Sequence, residues 1–557
     1  MGRFESAIVF SGCIIQCHSN TAVMKDNSNK GGYMKKLAAI ALTATMGASL
    51  MVGCGSNSNT NTTATETDTS SAKTEASVGT TSENTSAQDG EYPVVRMAYS
   101  HIFPIEDEEA VEAAMNEILR EEAHAEVDLV GVDFSDMTSQ MNLLLTGGNK
   151  EPLDIFSSFW YLPLNTLKSN GQISELDDLL KEHSDVLDLF KDNPEVLDAC
   201  KIGGTLYALP ALGPWSSPEF YVCMKADSDA ASIDWSKVNT LDDVTDAMLA
   251  MKKVNPDHYY IPGATETYYV PKDIDTLGDN NTFLGVLTDP LNSTKVENYY
   301  ESDYFKNFMK NVKIWSENGL ISPDPMSNTL PSLLSLQNGV TSGSPGYCWS
   351  DKEWFYEANT QQNYGGDVTG CNYGERLITT SNIQTYLWHI TSFSKNKEAA
   401  MNVLAAFYTD SRLDALYGNG IEGKNYVVNA DGKLEYPEGK NNTNCGWTGM
   451  GATYSLPNVS KCPAWYYQPD DMWDQMMKTN EEAKPSLALG FVFDSTPVAD
   501  QITACSNVCA QYYLPLINGE ANIDETLPVF QQALHDAGID EIISEKQKQL
   551  DAWLANK

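Results

Sequence analysis

Basic residues are scarce in this chain. Its 557 residues include 36 Lys and Arg against 76 Asp and Glu, which gives a formal net charge of −40. A protein that binds nucleic acid or anionic lipid electrostatically needs a surplus of Lys and Arg to meet the phosphates. The composition therefore argues against both kinds of partner, and no nucleic-acid binding is expected.

Long apolar runs are also missing from most of the chain. Beyond residue 55, no run reaches the ~20 apolar residues that a membrane-spanning helix needs. A channel or transporter with several membrane spans is therefore not encoded. The length exceeds what one ordinary core of ~150 residues accommodates, so at least two lobes are expected.

Signatures of metal sites and hydrolases are absent as well. The sequence has no CxxC, HExxH or G-x-S-x-G motif and no acidic run with EF-hand spacing. Neither a metal, a cofactor nor a catalytic residue is therefore predicted. A glycosidase needs only two carboxylates about 5–10 Å apart, so a carbohydrate-active enzyme stays open as an alternative in so acidic a chain.

The segment near the N-terminus is the most informative one. Residues 34–36 (MKK) precede an apolar or small-residue run over 37–51, and Gly53 and Cys54 follow. This pattern predicts a secretory signal peptide over 34–53. The Cys after the small residue resembles a bacterial lipobox, which implies that Cys54 is lipid-modified and anchors the protein on the outer face of the cell membrane.

The signal peptide determines how the residues on either side of it are interpreted. A signal peptide must be N-terminal to work, so residues 1–33 are interpreted as an upstream mis-start. Residues 54–91 are predicted to be the lipidated Cys and a disordered tether, because 24 of the 36 residues 55–90 are Ser, Thr, Asn or Gly. Such a segment cannot bury enough apolar surface to offset the entropy of ordering it.

The start of the body alternates between strand and helix patterns. Residues 94–99, 127–134 and 154–156 have strand character, while 106–122 and the stretch that begins at Met137 have helical periodicity. A β-α-β-α-β run predicts a parallel sheet with right-handed crossovers. Ligands bind beyond the carboxyl ends of such strands.

The rest of the body is divided by its changes in pattern. Residues 92–212 are predicted to form the first segment of lobe 1, and residues 213–345 a mostly helical lobe 2. Residues 346–494 are predicted to be a chain crossing between the lobes with aromatic-rich loops, and residues 495–557 a helical C-terminal segment.

Four motifs in this body resemble the extracellular solute-binding proteins of ABC importers, in their long carbohydrate-type lipoprotein branch. Residues 203–210 (GGTLYALP) look like that family's entry to the interlobe crossing, and 390–401 (ITSFSKNKEAAM) like a helix start with Lys397 in place of Pro. Residues 417–426 (YGNGIEGKNY) are similar to a turn of the aldouronate-type branch, and 537–553 to the tail of its uncharacterised C-terminal domain.

The resemblance implies an α/β, two-lobed fold of the periplasmic-binding-protein type, with a hinge of two or three crossings and an interlobe ligand cleft. It implies a monomer that captures a solute, most readily an oligosaccharide, and delivers it to the membrane permease of an ABC transporter. A peptide ligand and a surface glycan adhesin without a transporter remain alternatives, since relatives with this architecture take several kinds of solute.

Aromatic residues in loops are the candidate ligand contacts. Rigid, amphipathic rings suit stacking on the apolar faces of sugars. Asp351 lies two residues after Trp349, so it is a candidate to accept hydrogen bonds from the hydroxyls of a sugar that stacks on Trp349. The candidates are Trp160, Tyr161, Trp215, Trp349, Asp351, Trp388, Trp447 and Trp465. Core packing is the competing interpretation for each Trp.

Eight cysteines lie in the body. Export permits disulfides, but eight cysteines allow 105 pairings, so the sequence leaves their pairing open.

Overall fold

The computed structural model describes residues 5–10, 13–18, 92–101, 105–133, 136–146, 150–159, 162–263, 271–279, 283–327, 335–336, 338–347, 350, 366–441, 444–447 and 456–557. The strands are β1 Glu5–Phe10, β2 Cys13–His18, β3 Val94–His101, β4 Glu126–Asp133, β5 Ile155–Ser158, β6 Lys201–Ile202, β7 Thr205–Leu206, β8 Leu209–Pro210, β9 Glu219–Met224, β10 Gly343–Tyr347, β11 Val368–Tyr373, β12 Leu377–Ile378, β13 Leu387–Ile390, β14 Val427–Val428, β15 Leu434–Glu435 and β16 Lys484–Pro485.

The helices are α1 Glu108–Glu122, α2 Met137–Leu144, α3 Leu164–Ser169, α4 Ser184–Asp188, α5 Glu195–Asp198, α6 Lys225–Ala231, α7 Leu241–Val254, α8 Asp303–Glu317, α9 Thr380–Ile383, α10 Lys397–Thr409, α11 Ser411–Asn419, α12 Met472–Glu482, α13 Ala499–Ile517, α14 Ile523–Ala537 and α15 Ile539–Leu554. No helix in this described part of the chain is both long and apolar enough to cross a bilayer.

The first lobe is built on a five-stranded sheet in the order β4-β3-β5-β13-β8. Strand β3 pairs in parallel with both β4 and β5, which confirms the predicted β-α-β-α-β unit. Strand β13, more than two hundred residues later, pairs antiparallel with β5 and β8. Helix α1 covers the sheet with Val111, Met115 and Leu119, which recur at the spacing of one helical face.

The second lobe has a smaller sheet of three antiparallel strands in the order β10-β9-β11. Helices α7 and α8 lie beside it, and their starts follow from local chemistry. Thr240 and Asp243 form a capping box at the start of α7, and the Ser302 hydroxyl accepts from the Phe305 amide at the start of α8. Both helices lie in the range 213–345, which the sequence predicted to be mostly helical.

Two separate clusters of buried apolar residues correspond to the two lobes. The first gathers residues from β3 through Trp215 and again from Ile378 to Leu489. The second gathers residues from β9 to α8, then Cys371 and Tyr373, and finally the C-terminal stretch from Ala488 to Leu550. The range 346–494, expected to be mainly a crossing, thus also supplies helices α10, α11 and α12 to the first lobe.

Three chain crossings join the lobes. The first runs from β8 to β9, the second from β11 to α9, and the third from α12 to Phe491. Strand β12 of the second crossing pairs in parallel with β16 of the third. Three paired or clamped crossings restrict the lobes to bending about one axis, as a hinge requires.

Candidate functional site

The carboxyl ends of the parallel strands in the first lobe mark the edge where a ligand is expected. Strands β3, β4 and β5 end at His101, Asp133 and Ser158. Residues 102–104, 134–135 and 160–161 come next along the chain and lie outside the described residues. The described residues that support this edge are an aromatic cluster and a polar clasp.

An aromatic cluster lies at the end of β3. The ring centroid of Tyr99 is 5.3 Å from that of Trp447 and 6.1 Å from that of Tyr417. The Trp447 indole Nε1 donates to the Tyr417 carbonyl at 3.1 Å, and the Tyr99 hydroxyl donates to the Glu108 carboxylate. Burial, followed by that hydrogen bond, raises the pKa of Tyr99 well above its usual value, so the phenol stays protonated.

A polar clasp beside this cluster fixes the start of α1. The Asp107 carboxylate accepts from Lys424 Nζ at 2.7 Å and from Asn425 Nδ2 at 2.8 Å. Asn425 also donates to the Cys445 carbonyl at 2.8 Å, and its Oδ1 accepts from the Ile421 amide at 2.9 Å. Partial burial acts to raise the pKa of Asp107, but the bonds from Lys424 and Asn425 outweigh it and lower the pKa.

This clasp explains the 417–426 motif. Residues 418–424 imitate a phosphate-binding loop in sequence, yet Asn425 stands where such a loop needs Ser or Thr. Asn425 is 1% exposed and all of its amide is used inside the protein. The motif therefore joins the end of α11 to the start of α1 instead of binding phosphate. This role was not predictable from the sequence, because Asp107, the partner of Asn425, is more than three hundred residues away along the chain.

The structure divides the predicted ligand contacts into three groups. Trp160, Tyr161, Trp349 and Asp351 lie outside the described residues. Trp215, Trp388 and Trp447 are 3%, 0% and 1% exposed within the first core, so protein covers their rings in this conformation. Trp465 is half-buried and stays accessible. All remain predictions as ligand contacts, but burial favours core packing for the second group.

Trp465 belongs to a surface cluster of aromatic rings. Its centroid lies 4.6 Å from that of Tyr436 and 6.4 Å from that of Tyr467, and Tyr466 packs edge-on against Tyr467 at 5.1 Å. The Trp465 indole donates to Asn419 Oδ1 at 3.0 Å. Tyr466 is 46% exposed. These rings are anchored at one end and exposed at the other.

Trp215 has a clear structural role at the first crossing. Its backbone amide donates to Asn480 Oδ1 at 2.9 Å, and Asn480 Nδ2 donates to the Gly213 carbonyl at 2.8 Å. The indole Nε1 donates to the Ala211 carbonyl at 2.9 Å. Trp215 thus lies on the first crossing, and its ring packs on Phe190.

Buried carboxyl groups line the second lobe where the first crossing enters it. Glu219, 2% exposed, accepts from the Lys272 amide at 2.8 Å. Burial raises the pKa of Glu219 well above its usual value, and Asp273 nearby adds to this. Burial likewise raises the pKa of Asp273, against a hydrogen bond from Tyr304. Both carboxyl groups therefore hold a proton more strongly than an exposed carboxyl group does.

The described residues include no cluster of three or more His, Cys, Asp or Glu that could hold a metal ion. Seven body cysteines are described, and all are thiols rather than disulfides: Cys200, Cys223, Cys371, Cys445, Cys462, Cys505 and Cys509. Burial raises the pKa of the Cys200 thiol strongly, which leaves it unreactive. Cys348 and Cys54 lie outside the described residues.

Comparisons with known proteins agree with this geometry. A family model described as "Domain of unknown function (DUF3502)" matches residues 487–555. A curated relative, the "Carbohydrate ABC transporter substrate-binding protein" of Streptococcus pneumoniae serotype 4, is 25% identical over 504 residues. That alignment covers 86% of this chain and 94% of the relative. Its name describes a binding protein, not an enzyme.

Solved structures share the fold along nearly their whole length. The N-glycan transport solute binding protein NgtS from Streptococcus pneumoniae superposes with a TM-score of 0.71 at 22% identity, over 83% of this chain and 99% of that one. An HMO-binding, ABC-transporter-associated solute binding protein from Bifidobacterium longum infantis gives 0.55 at 16% identity, over 84% and 100%. The alginate-binding protein AlgQ2 gives 0.55 at 16%, over 83% and 99%.

These matches confirm the resemblance that the four motifs indicated: the chain has the α/β, two-lobed fold of the extracellular solute-binding proteins and carries a C-terminal DUF3502 domain.

Proposed function

We propose that this protein is the substrate-binding receptor of an ABC transporter, and that it captures an oligosaccharide in the cleft between its lobes. The observation that carries the proposal is the match to the Streptococcus pneumoniae carbohydrate ABC transporter substrate-binding protein over 94% of that protein's length. Two cores joined by three crossings provide the bending that capture needs, since ligand favours the closed state through its added contacts.

A saccharide ligand is favoured over a peptide by the named ligands of the structural neighbours. These neighbours are named for N-glycan, HMO and alginate, which are all glycans. The abundance of Trp in this chain, with 11 residues, suits stacking on sugar rings. The glycan class is left to measurement because these neighbours bind different ones.

Thermal unfolding with a ligand panel tests the proposal. The panel contains neutral and acidic oligosaccharides, monosaccharides and peptides. A ligand that binds only the folded state adds RT ln(1 + [L]/Kd), about 2.7 kcal/mol at a hundredfold excess over Kd. A shift of several degrees with one glycan class, and intact glycan recovered afterwards, is the expected result. A shift with peptides alone would overturn the saccharide assignment.

The ligand contacts proposed for the cleft are Trp160, Tyr161, Trp349 and Asp351, together with Trp465 from the surface cluster of aromatic rings. Trp349→Ala should weaken binding of the identified glycan by about 1–3 kcal/mol, because a stacked ring is lost. Isothermal titration measures this, and the melting temperature serves as the control. An unchanged Kd with a lower melting temperature would assign Trp349 to the core.

The lipid anchor and the permease complete the proposal. Cys54 would carry the diacylglycerol and hold a monomer at the outer face of the membrane, with the tether 55–91 leaving the body free to rotate. Metabolic labelling with an alkyne fatty acid tests this, since Cys54→Ser should abolish the label. Retention of label in that variant would contradict the anchor. A permease encoded beside the gene would separate the importer from a surface adhesin.

A carbohydrate-active enzyme is the remaining alternative. It predicts that the glycan which raises the melting temperature is recovered cleaved. Incubation with the panel followed by chromatography of the products decides the point.

A further inference from the structure

The DUF3502 domain is part of the second lobe rather than an appendage. Among its residues, Phe491, Phe530, Leu534, Ile542 and Leu550 are buried in the second core with residues of β9, α7 and α8. Its last helix, α15, also lies against residues 271–279 and 283–298, named the brace here. The brace contains no regular strand or helix in its described residues. Some of its backbone groups pair within it, as Asp275 does with Leu287 and Val286 with Glu297, and others need partners from elsewhere.

Lys546 is the central contact between α15 and the brace. Its side chain is 1% exposed, and Nζ donates to Asp279 Oδ2 at 2.8 Å and to the Gly285 carbonyl at 3.0 Å. The same ammonium lies 5.0 Å from the ring centroid of Phe493. A buried charge is tolerated only when it is paired and hydrogen-bonded. This lysine therefore ties three segments of the lobe at one point.

Two glutamines on α15 form hydrogen bonds to backbone groups, as a neighbouring strand would. Gln547 accepts from the Val296 amide at 2.7 Å and donates to the Thr294 carbonyl at 3.1 Å. Gln549 accepts from the Asp494 amide at 2.9 Å and donates to the Asp494 carbonyl at 2.9 Å. A side-chain amide offers one donor group and one acceptor, as a peptide does. Each glutamine therefore completes the backbone bonding of an irregular segment.

The brace in turn reaches all three crossings of the hinge. The Lys272 amide donates to Glu219, where the first crossing enters β9. Thr276 Oγ1 lies 2.6 Å from Ser381 Oγ on the second crossing. The Phe493 amide donates to the Leu277 carbonyl at 3.2 Å, just beyond the third crossing.

We propose that the DUF3502 domain is the hinge support of this receptor: Lys546 and Gln547 hold the brace, Gln549 holds Asp494 beyond the third crossing, and the brace fixes the crossings about which the lobes bend. Lys546 is then a positioning residue that influences ligand affinity without touching ligand. Only this effect on affinity rests on the proposed function; the support of the hinge does not.

Hydrogen exchange of the full, ligand-free chain tests the support directly. Lys546→Met is compared with Lys548→Met, a matched change on the same helix, because Lys548 is 74% exposed and pairs with Glu545 at the surface. In Lys546→Met, exchange should rise at least tenfold in peptides of the brace and in peptides covering 374–386 and 483–490. Lys548→Met should stay within twofold of the wild type.

A milder variant guards against loss of folding. Gln547→Met removes the bonds to Thr294 and Val296 without adding charge, and exchange should rise severalfold at the same peptides. Exchange that rises in the brace alone, with the crossings unchanged, would overturn the link to the hinge. Exchange unchanged in both regions would overturn the proposal entirely.

The affinity measurement separates this proposal from the proposed function. With a glycan that binds the wild type, Lys546→Met should raise Kd at least threefold while Lys548→Met leaves it unchanged, and an unchanged Kd in both would refute the effect on affinity. A wild type that binds no glycan contradicts the proposed function, and the exchange result then decides the hinge support by itself.

Discussion

His389 lies in the middle of the first sheet, on β13, and is 0% exposed. Its Nδ1 faces the Tyr207 carbonyl at 3.1 Å, and its Nε2 lies 2.8 Å from the Ser158 hydroxyl. A carbonyl only accepts, so Nδ1 carries the proton and Nε2 accepts from Ser158. The ring also stacks on Phe156 at 5.0 Å. The surroundings of His389 therefore favour its neutral imidazole.

This environment predicts acid sensitivity. Burial lowers the pKa of His389 to about 4, whereas an unfolded chain has a His pKa near ~6.5. The folded state therefore binds the proton more weakly, and stability is complete above pH 6.5 and falls as the pH drops towards 4. The loss between pH 7 and pH 4 is about 3 kcal/mol.

Urea unfolding at pH 7 and pH 4 measures this loss. His389→Gln should show a smaller fall with pH than the wild type, while His124→Asn at an exposed position should keep the wild-type dependence. An equal fall in His389→Gln and the wild type would show that the acid sensitivity comes from other groups.

Gly446 makes a second prediction at the scale of one residue. Its φ is +90°, and an added Cβ would overlap the Asp107 carboxylate that Lys424 and Asn425 hold. Gly446→Ala should therefore cost about 2–4 kcal/mol of unfolding free energy, through both strain and displacement of the clasp. Gly423 has a φ of +78° with open space around it, so Gly423→Ala should cost only about 1 kcal/mol. Equal costs in denaturant titrations would show that the clasp yields easily.

Helix α12 secures the first crossing through one side chain. Asn480, 2% exposed, pairs with the Trp215 amide and the Gly213 carbonyl. Asn480→Ala leaves both backbone groups buried without their partner, and each costs about 1–3 kcal/mol. The expected loss is about 2–4 kcal/mol, with a loosened hinge. Lys478→Ala, at a 72% exposed position on the same helix, should change stability by less than about 0.5 kcal/mol. Similar values for the two variants would contradict the clamp.

Helices and strands whose apolar residues recur at a regular spacing were predictable from the sequence, and elements without such a spacing were not. Helix α1 and strands β3 and β4 each carry an apolar face over eight or more residues, and the sequence located them. Strands β12 and β16 are two residues long, too short to show any period. Their pairing joins positions about a hundred residues apart, so it arises only from the tertiary structure.

The sequence predicted that aromatic loops supply the candidate ligand contacts, but it did not predict which rings are buried in a core. Aromatic loops are visible in a sequence, but whether a ring such as Trp388 faces a ligand or a core depends on the strand that pairs beside it. Asn425 and Lys546 lay within motifs that were recognised, yet their partners Asp107 and Asp279 are remote in sequence. Their roles required the folded contacts.

The body from residue 92 onward consists of two lobes joined by three crossings. Each lobe has its own buried core, and close-packed cores resist deformation. The three crossings are short and held by clamps at Asn480 and at the brace. Bending at the crossings is thus the motion that costs least, and a ligand touching both lobes gains contacts only when they close.

Small-angle scattering of the body from residue 92 onward tests this motion. A compact body of this length has a radius of gyration of about 23 Å, and an open cleft gives a larger value. Saturating glycan should lower the radius towards that limit, because closure brings the two lobes together. The lysine variant Lys548→Met should close as the wild type does, whereas Lys546→Met should start from a broader distribution of distances. A radius unchanged by a glycan that raises the melting temperature would mean that the ligand binds one lobe without closure.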